Sequence, residues 1–299
     1  MIKQPINLLM GALASKLVQH PWSSTSLNGR RLRSALHRGK YLTQANVSEF
    51  DLHDIILNHS LQLFSSLGKT KTNNHTNTSS APPLSIPVLT CQPSTNAIGD
   101  GIFAGSRLLP GTVVAFFPGI AYLGVPYGKD DERPQPGWTH ETWKENSYTM
   151  SLPDGGRIDG RAFLQKTDTR IKLIRNKLCV GHMINHPNKD DNPNVLAFPI
   201  VVDVDTVQDK TTIPSVLSES WYFSETVCAL IPVPMEMRKM VPCVAIVVTK
   251  ELKCGDELLL DYNLCEEVAK DAEWYVLRDA EADYENERVL GGGIVEVVS

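Results

Sequence analysis

The first clear periodicity in the chain lies in SEFDLHDIILNHSLQLFSSLG, residues 48–68. Phe50, Leu52, Ile55, Ile56, Leu63, Phe64 and Leu67 fall largely on one face at helical spacing, which predicts an amphipathic helix. Ser48 with Asp51 supplies a cap and Gly68 a stop. The following KTKTNNHTNTSSAPP, 69–83, has almost nothing to bury and reads as a flexible linker. From about residue 87 the pattern changes to short β-like runs punctuated by Gly and Pro. TVVAFFPG (112–119) is a compact apolar strand ended by a turn. SYTMSL (147–152) alternates, and Pro153-Asp154-Gly155-Gly156 offers a hairpin turn into RIDG. VPCVAIVVTK (241–250) is rich in β-branched residues, and DELLLDY (256–262) reads as a strand after a Gly-containing turn. Residues 264–283 read as a helix, with Asn263 and Glu266 spaced as a capping box. Gly291-Gly292-Gly293 ends it, and IVEVV is a last short strand or a frayed tail. The class is β-rich α+β rather than alternating βαβ. The expected organisation is a helical region with a basic start at 1–68 and a linker at 69–86. A β-rich domain with its C-terminal helix fills 87–290, and a tail covers 291–299.

Composition adds a few limits. The chain has 299 residues, of which 42% are hydrophobic and 21% charged, so a packed domain is expected. No apolar run approaches the ~18 residues of a membrane span, so no membrane partner is expected. The net charge of −5 is uneven. Residues 1–48 hold seven basic and no acidic residues, which leaves 22 basic against 34 acidic in the remainder, or −12. An acidic body gives no general support for nucleic-acid binding. It favours a cationic partner, although solubility alone explains it equally well. Six cysteines stand singly, with no C-x-x-C pair, as in an intracellular protein. The N-x-S/T triplets at Asn46, Asn58, Asn74 and Asn77 matter only for a secreted chain. The basic, acid-free amino terminus fits a mitochondrial transit peptide, an ordinary amphipathic helix with a basic tail, or a short secretory signal. Mitochondrion against nucleus or cytosol therefore stays open.

Four segments hold candidate chemistry: GDGIFA (99–104), Tyr148 in its alternating strand, MINHPNKDDNPN (183–194) and GDELLLDY (255–262). Each alone is ordinary. Gly-x-Gly before a strand is usually a turn, a strand Tyr is usually packing, and Gly-Asp-Glu-Leu is a common turn. Taken in this order, they resemble the SET domain of protein lysine methyltransferases, over roughly 95–265. The pattern there is G-x-G-(V/I)-(F/Y)-A, a strand Tyr, (F/I)-(I/V)-N-H-S-C-x-P-N, then G-E-E-L-x-x-D-Y. The resemblance implies a β-clip fold in which the Asn-His and Asp-Tyr segments meet in a threaded, pseudoknot-like crossing, a rare topology. It implies S-adenosylmethionine as cofactor and the lysine side chain of a protein as substrate. Asn185 and the backbone of His186 would hold the adenine end. The loop of Gly99, Asp100, Gly101 and Ile102 would offer backbone to the amino-acid end, where glycines permit close approach. Tyr262 would be the catalytic tyrosine, Tyr148 its partner lining the channel, and Leu260 a channel residue.

The chemistry has its own requirements. Methyl transfer from a sulfonium to an amine is an in-line displacement, with no metal and no covalent intermediate, and is mainly a positioning task. The amine must be neutral. For a lysine with pKa near 10.4 this costs roughly 4.6 kcal/mol at pH 7. Burial in a narrow apolar channel lowers that value. A tyrosine hydroxyl then orients the amine, and carbonyls hold the polarised methyl through C–H···O contacts.

Three departures from the family pattern stand out. Pro187-Asn188 replaces Ser-Cys, with three extra residues before Asn192-Pro193-Asn194, which is expected to loosen the crossing. Leu260 stands where an aromatic is usual. The cysteine cluster that often follows the domain is absent, so no metal is expected, and Trp274 or Tyr275 offers an alternative cover for the cofactor. Rival readings were weighed on the same residues. His182 and His186, four apart, could share a helix face as metal ligands, but the intervening base and a third ligand are missing. The basic run 161–177 reads as a solvated helix face or the surface of an insert rather than a nucleic-acid site. A SET-fold protein without methyl transfer, acting as a binding or scaffold module, is the alternative function.

Overall fold

The computed structural model describes residues 27–40, 49–69, 86–97, 99–123, 148–152, 157–160, 177–207, 210–213, 215–224, 229–232, 240–262 and 275. The expected linker, the cap at Ser48, the basic run 161–176, most of the C-terminal helix and the tail lie outside these residues. Among the described residues two helices come first: α1, Leu27–Arg38, and α2, Glu49–Lys69. The second follows the periodicity of 48–68, except that it continues through Gly68 to Lys69 instead of stopping at the glycine. Ten strands follow: β1 Leu89–Pro93, β2 Asp100–Ala104, β3 Val113–Phe117, β4 Gly119–Leu123, β5 Thr149–Ser151, β6 Arg157–Asp159, β7 Val195–Asp203, β8 Ser215–Ser224, β9 Ala229–Pro232 and β10 Met240–Val248. The described chain is β-rich, with few helices and small, mostly antiparallel sheets.

Strands β1 and β2 pair antiparallel. The second sheet runs β3-β10-β7, and the third β5-β6-β4-β8-β9, in which only β4 and β8 are parallel. The turn expected after Phe117 moves the chain from the second sheet to the third, at Pro118. Strands β5 and β6 pair as an antiparallel hairpin, with Thr149 opposite Asp159. The segment 256–262 departs from expectation. It forms no strand, only single bridges from Glu257 to Phe103, from Leu259 to Asn185 and from Leu260 to Val195.

The central sheet explains the apolar continuity of VPCVAIVV. Every residue of β10 from Val241 to Val248 is buried, because both faces of the sheet are covered. Val241, Cys243, Ala245 and Val247 face one apolar cluster, together with Leu196, Phe198, Ile200 and Val202 of β7. Leu32 and Leu36 of α1 and Leu52, Ile56, Leu63, Phe64 and Leu67 of α2 fill the same cluster. The two helices and the sheet therefore share one core. Phe64 meets Phe116 of β3 with ring centroids 4.8 Å apart, and Arg38 donates to the Thr249 carbonyl just past β10. Ile246 and Val248 point to the other face, into a second cluster with Ile102, Val114, Ile184, Val195, Leu258 and Leu260. The alternation of β10 thus divides the molecule into a helix-covered side and a side that carries the motifs singled out above.

Phe64→Ala should test the first contact. Truncating a fully buried phenylalanine is expected to cost about 3–5 kcal/mol, read as a lowered urea midpoint. A loss below about 1 kcal/mol would show that α2 does not belong to this core.

Candidate functional site

The site assembles around residues 257–260. With no sheet of its own, this segment must satisfy its backbone groups elsewhere. Leu258 N–H donates to the Ile102 carbonyl of β2 at 2.7 Å, and Leu260 N–H to the Asn185 carbonyl at 2.9 Å. The Leu259 carbonyl accepts from the N–H groups of Asn194 and Val195, at 3.0 and 3.2 Å. The Asn194 side chain closes the join. Its amide donates to the Glu257 carbonyl at 2.8 Å, and its oxygen accepts the Leu259 N–H at 2.8 Å. Asn194 is only 5% exposed, so these bonds lie away from competing water. The Asn-His and Asp-Tyr segments therefore meet, and NHPNKDDNPN is not a plain surface loop. His186-Pro187 and Pro193-Asn194 are buried, and only Lys189 and Asp190 at its tip are exposed. The loosening expected from Pro187-Asn188 has a counterweight, since Asn188 Nδ2 donates to Asn96 Oδ1 at 2.7 Å.

Tyr262 lies beside this join. Its hydroxyl donates to the Ile184 carbonyl at 2.7 Å, and its ring packs on the apolar cluster with Met150, Met183 and Leu260. Burial pushes its phenol up to about 12, with the Tyr148 phenol adding to the shift. Tyr148 and Tyr262 are thus neighbours, although distant in the sequence. Leu260 is 3% exposed and sits inside the same cluster. His186 is 6% exposed and stacks on Tyr275, ring centroids 4.3 Å apart. The Tyr275 hydroxyl reaches Asp261 Oδ1 at 3.1 Å, so this C-terminal residue packs on the Asn-His motif; Trp274 lies outside the described residues. His182 instead packs edge-on against Phe117. Only Gly181–Met183 forms a helical turn, of the 3-10 kind, so the shared helix face proposed for His182 and His186 does not form.

The glycine loop joins the same site. Gly99 has φ +112°, the left-handed region, and open space where a Cβ would project. Gly101 is tight instead. A Cβ there would stand 2.2 Å from Glu257 Oε1 and 2.9 Å from Asn185 Nδ2. Asn185 Nδ2 donates to that carboxylate oxygen at 3.0 Å and to the Asp100 carbonyl at 3.3 Å. Asn185 Oδ1 accepts no hydrogen bond among the described residues and is not sealed from solvent. Ile102, 2% exposed, anchors the loop in the core. Glycine backbone, an outward acceptor and an open left-handed turn suit the amino-acid or amino groups of a ligand such as S-adenosylmethionine, so the residues fit that group.

Glu257 is the residue that sequence patterns miss. Its carboxylate accepts from Ser94 Oγ at 2.7 Å, Asn96 Nδ2 at 2.9 Å and Asn185 Nδ2 at 3.0 Å. Burial raises its pKa, but the hydrogen bonds from Asn96, Ser94 and Asn185 outweigh this and hold it below the usual carboxylate value. Ser94 and Asn96 lie in an irregular stretch with no periodicity, so only the turn-forming character of PSTN hinted at them.

No family model matches the chain, and no curated protein matches it. A solved structure from Plasmodium falciparum, described provisionally as a histone methyltransferase, is similar to 60% of this chain and 96% of that chain. The identity is 12% and the TM-score 0.29. A likeness of that size supports no inference about fold or function.

Two expectations follow from the join. Asn194→Ala removes one buried donor and one buried acceptor at once, and should cost about 2 kcal/mol or more, measured by chemical denaturation. A carboxyl with a lowered folded-state pKa adds stability that is full above its unfolded value, about 4.3, and is lost as pH falls through the folded value. Hydrogen-exchange protection of residues 94–101 should therefore hold at neutral pH and fall away below about pH 4. Protection that persists unchanged into stronger acid would contradict the hydrogen-bonded, ionised Glu257.

Proposed function

We propose that the chain is a SET-like protein lysine N-methyltransferase that uses S-adenosylmethionine. The observation that carries this reading is the meeting of two distant segments, one ending at Asn185-His186 and one at Asp261-Tyr262. It sets the Tyr262 hydroxyl on the Ile184 carbonyl, next to the Gly99–Gly101 loop's partner Asn185. The layout of DGIFAGSRLLPGTVVAFFPG, RIDG and VGHMIN resembles that of SET domain-containing protein nine within the family. In this reading the two segments cross as a threaded pseudoknot.

The cofactor would supply an electrophilic methyl group on a sulfonium. Residues 99–102, Asn185 and the His186 backbone would hold it, and Tyr275 keeps the His186 ring in place. The remaining work falls to the chain's own groups. The Tyr262 O–H donates its hydrogen bond to the Ile184 carbonyl, so the oxygen lone pairs are left to receive a substrate N–H. Burial keeps the phenol protonated, with its pKa pushed up to about 12, so it acts by orientation and not as a base at neutral pH. The apolar cluster of Met150, Met183 and Leu260 beside Tyr262 would disfavour a charged ammonium and favour the neutral amine. Tyr148, adjacent to Tyr262, would line the lysine's path.

Incubation with labelled S-adenosylmethionine and a cell extract, followed by mass spectrometry, should place label on a lysine. Tyr262→Phe is expected to cut the rate at least about a hundredfold while the cofactor's Kd stays within about threefold, since the phenol acts on the substrate side. Equal turnover by the mutant would remove Tyr262 from the reaction. Absence of any calorimetric heat or thermal shift with millimolar S-adenosylmethionine would favour a binding module on the same fold.

A further inference from the structure

The strongest unassigned feature is the polar hub on Glu257. This carboxylate is 8% exposed. It collects hydrogen bonds from two separate pieces of chain, Ser94 and Asn96 in the loop after β1 and Asn185 in the Asn-His motif, and Asn188 of the insert braces Asn96 in turn. Its Oε1 also fills the space that a side chain at Gly101 would take.

The consequence for Asn185 is specific. A side-chain amide has one donor end and one acceptor end, and rotation by half a turn exchanges them. Here the donor end faces two acceptors, Glu257 Oε1 and the Asp100 carbonyl. The reversed amide would set its oxygen against both of them, carbonyl against carboxylate. The charge on Glu257 makes that arrangement the costlier of the two. The amide is therefore locked with Oδ1 outward. The same carboxylate ties down the 94–99 turn, which is closed by Ser94 N–H to the Gly99 carbonyl at 2.9 Å and by two N–H bonds to Ser94 Oγ.

We propose that Glu257 is a positioning residue, which sets the Asn185 carbonyl oxygen outward to meet a hydrogen-bond donor of the ligand and pins the Gly99–Gly101 loop beside it. It does not touch the reacting atoms. Its effect on ligand rests on the S-adenosylmethionine reading above, while its effect on the loop does not.

Glu257→Gln separates these statements. The glutamine keeps the shape but must present an NH2 group to one of the donors around it. Hydrogen exchange in the unliganded protein should then rise on the order of tenfold across 94–101 and 183–188, the loss of one charge-assisted hydrogen bond. The Kd for S-adenosylmethionine, measured by calorimetry, should weaken by a similar factor, with the exchange of β7 and β10 unchanged. If Glu257→Gln fails to fold, the pair Ser94→Ala and Asn96→Ala, which removes two of the donors, should move both readouts in the same direction. Unchanged exchange in 94–101 and 183–188 would overturn the proposal. So would loosened exchange with cofactor bound as tightly as by the wild type. If the wild type itself binds no S-adenosylmethionine while exchange in the variant rises, the cofactor reading fails and the positioning role stands.

Discussion

The side chain of Asn194 bridging the backbone of 257–260 is the contact on which the rest depends. A strand in a sheet draws its hydrogen bonds from a neighbouring strand, but residues 257–260 lack one. They borrow from Ile102, Asn185 and Asn194 in turn. An asparagine suits the join because its amide offers a donor and an acceptor at the spacing of a peptide group. Without it, a buried N–H and a buried carbonyl would have no partner in a region that excludes water. Because the Asp-Tyr segment is held this way, Tyr262 reaches Ile184 and Glu257 reaches the glycine loop.

Packing supports that join from behind. The β10 strand is buried on both faces, with helices α1 and α2 on one side and the motif-bearing cluster on the other. The site is therefore built against a strand buried on both faces, while its polar contacts come from loops laid over it. Rigid support of this kind lets short irregular segments keep fixed geometry. The polar chain from Asn188 through Asn96 to Glu257 and Asn185 links three irregular segments with little help from regular structure.

Much of this was legible from residue patterns, and the reasons are physical. The helix at 49–69 announced itself by apolar spacing, and β10 by its run of β-branched residues. Gly99, Gly101, Asn185, His186, Tyr148 and Tyr262 were marked as candidates because the four segments holding them follow the order of a known family. The fold brings Gly101, Asn185 and Glu257 into one place, and Tyr148 and Tyr262 into another beside it. DELLLDY was misread because three leucines in a row look like a strand; the leucines are buried, but their backbone groups bond to three separate neighbours, Ile102, Asn194 and Asn185. The Glu257 hub was not legible, since Ser94 and Asn96 lie more than 150 residues away in a stretch whose only signal is a turn. The sharing of one core by α1, α2 and the sheet was also hidden, because periodicity names a buried face and not what covers it.

The bond from Leu258 to the Ile102 carbonyl joins positions on either side of most of the domain. Such a contact closes a very long loop, and its entropic cost falls early in assembly while its reward comes only when neighbouring segments have docked. The two halves of the pocket cannot mature independently. A nascent chain would hold the glycine turn and the Asn-His segment long before the residues that complete them emerge, and those unfinished surfaces would stay exposed until residues 257–262 arrive.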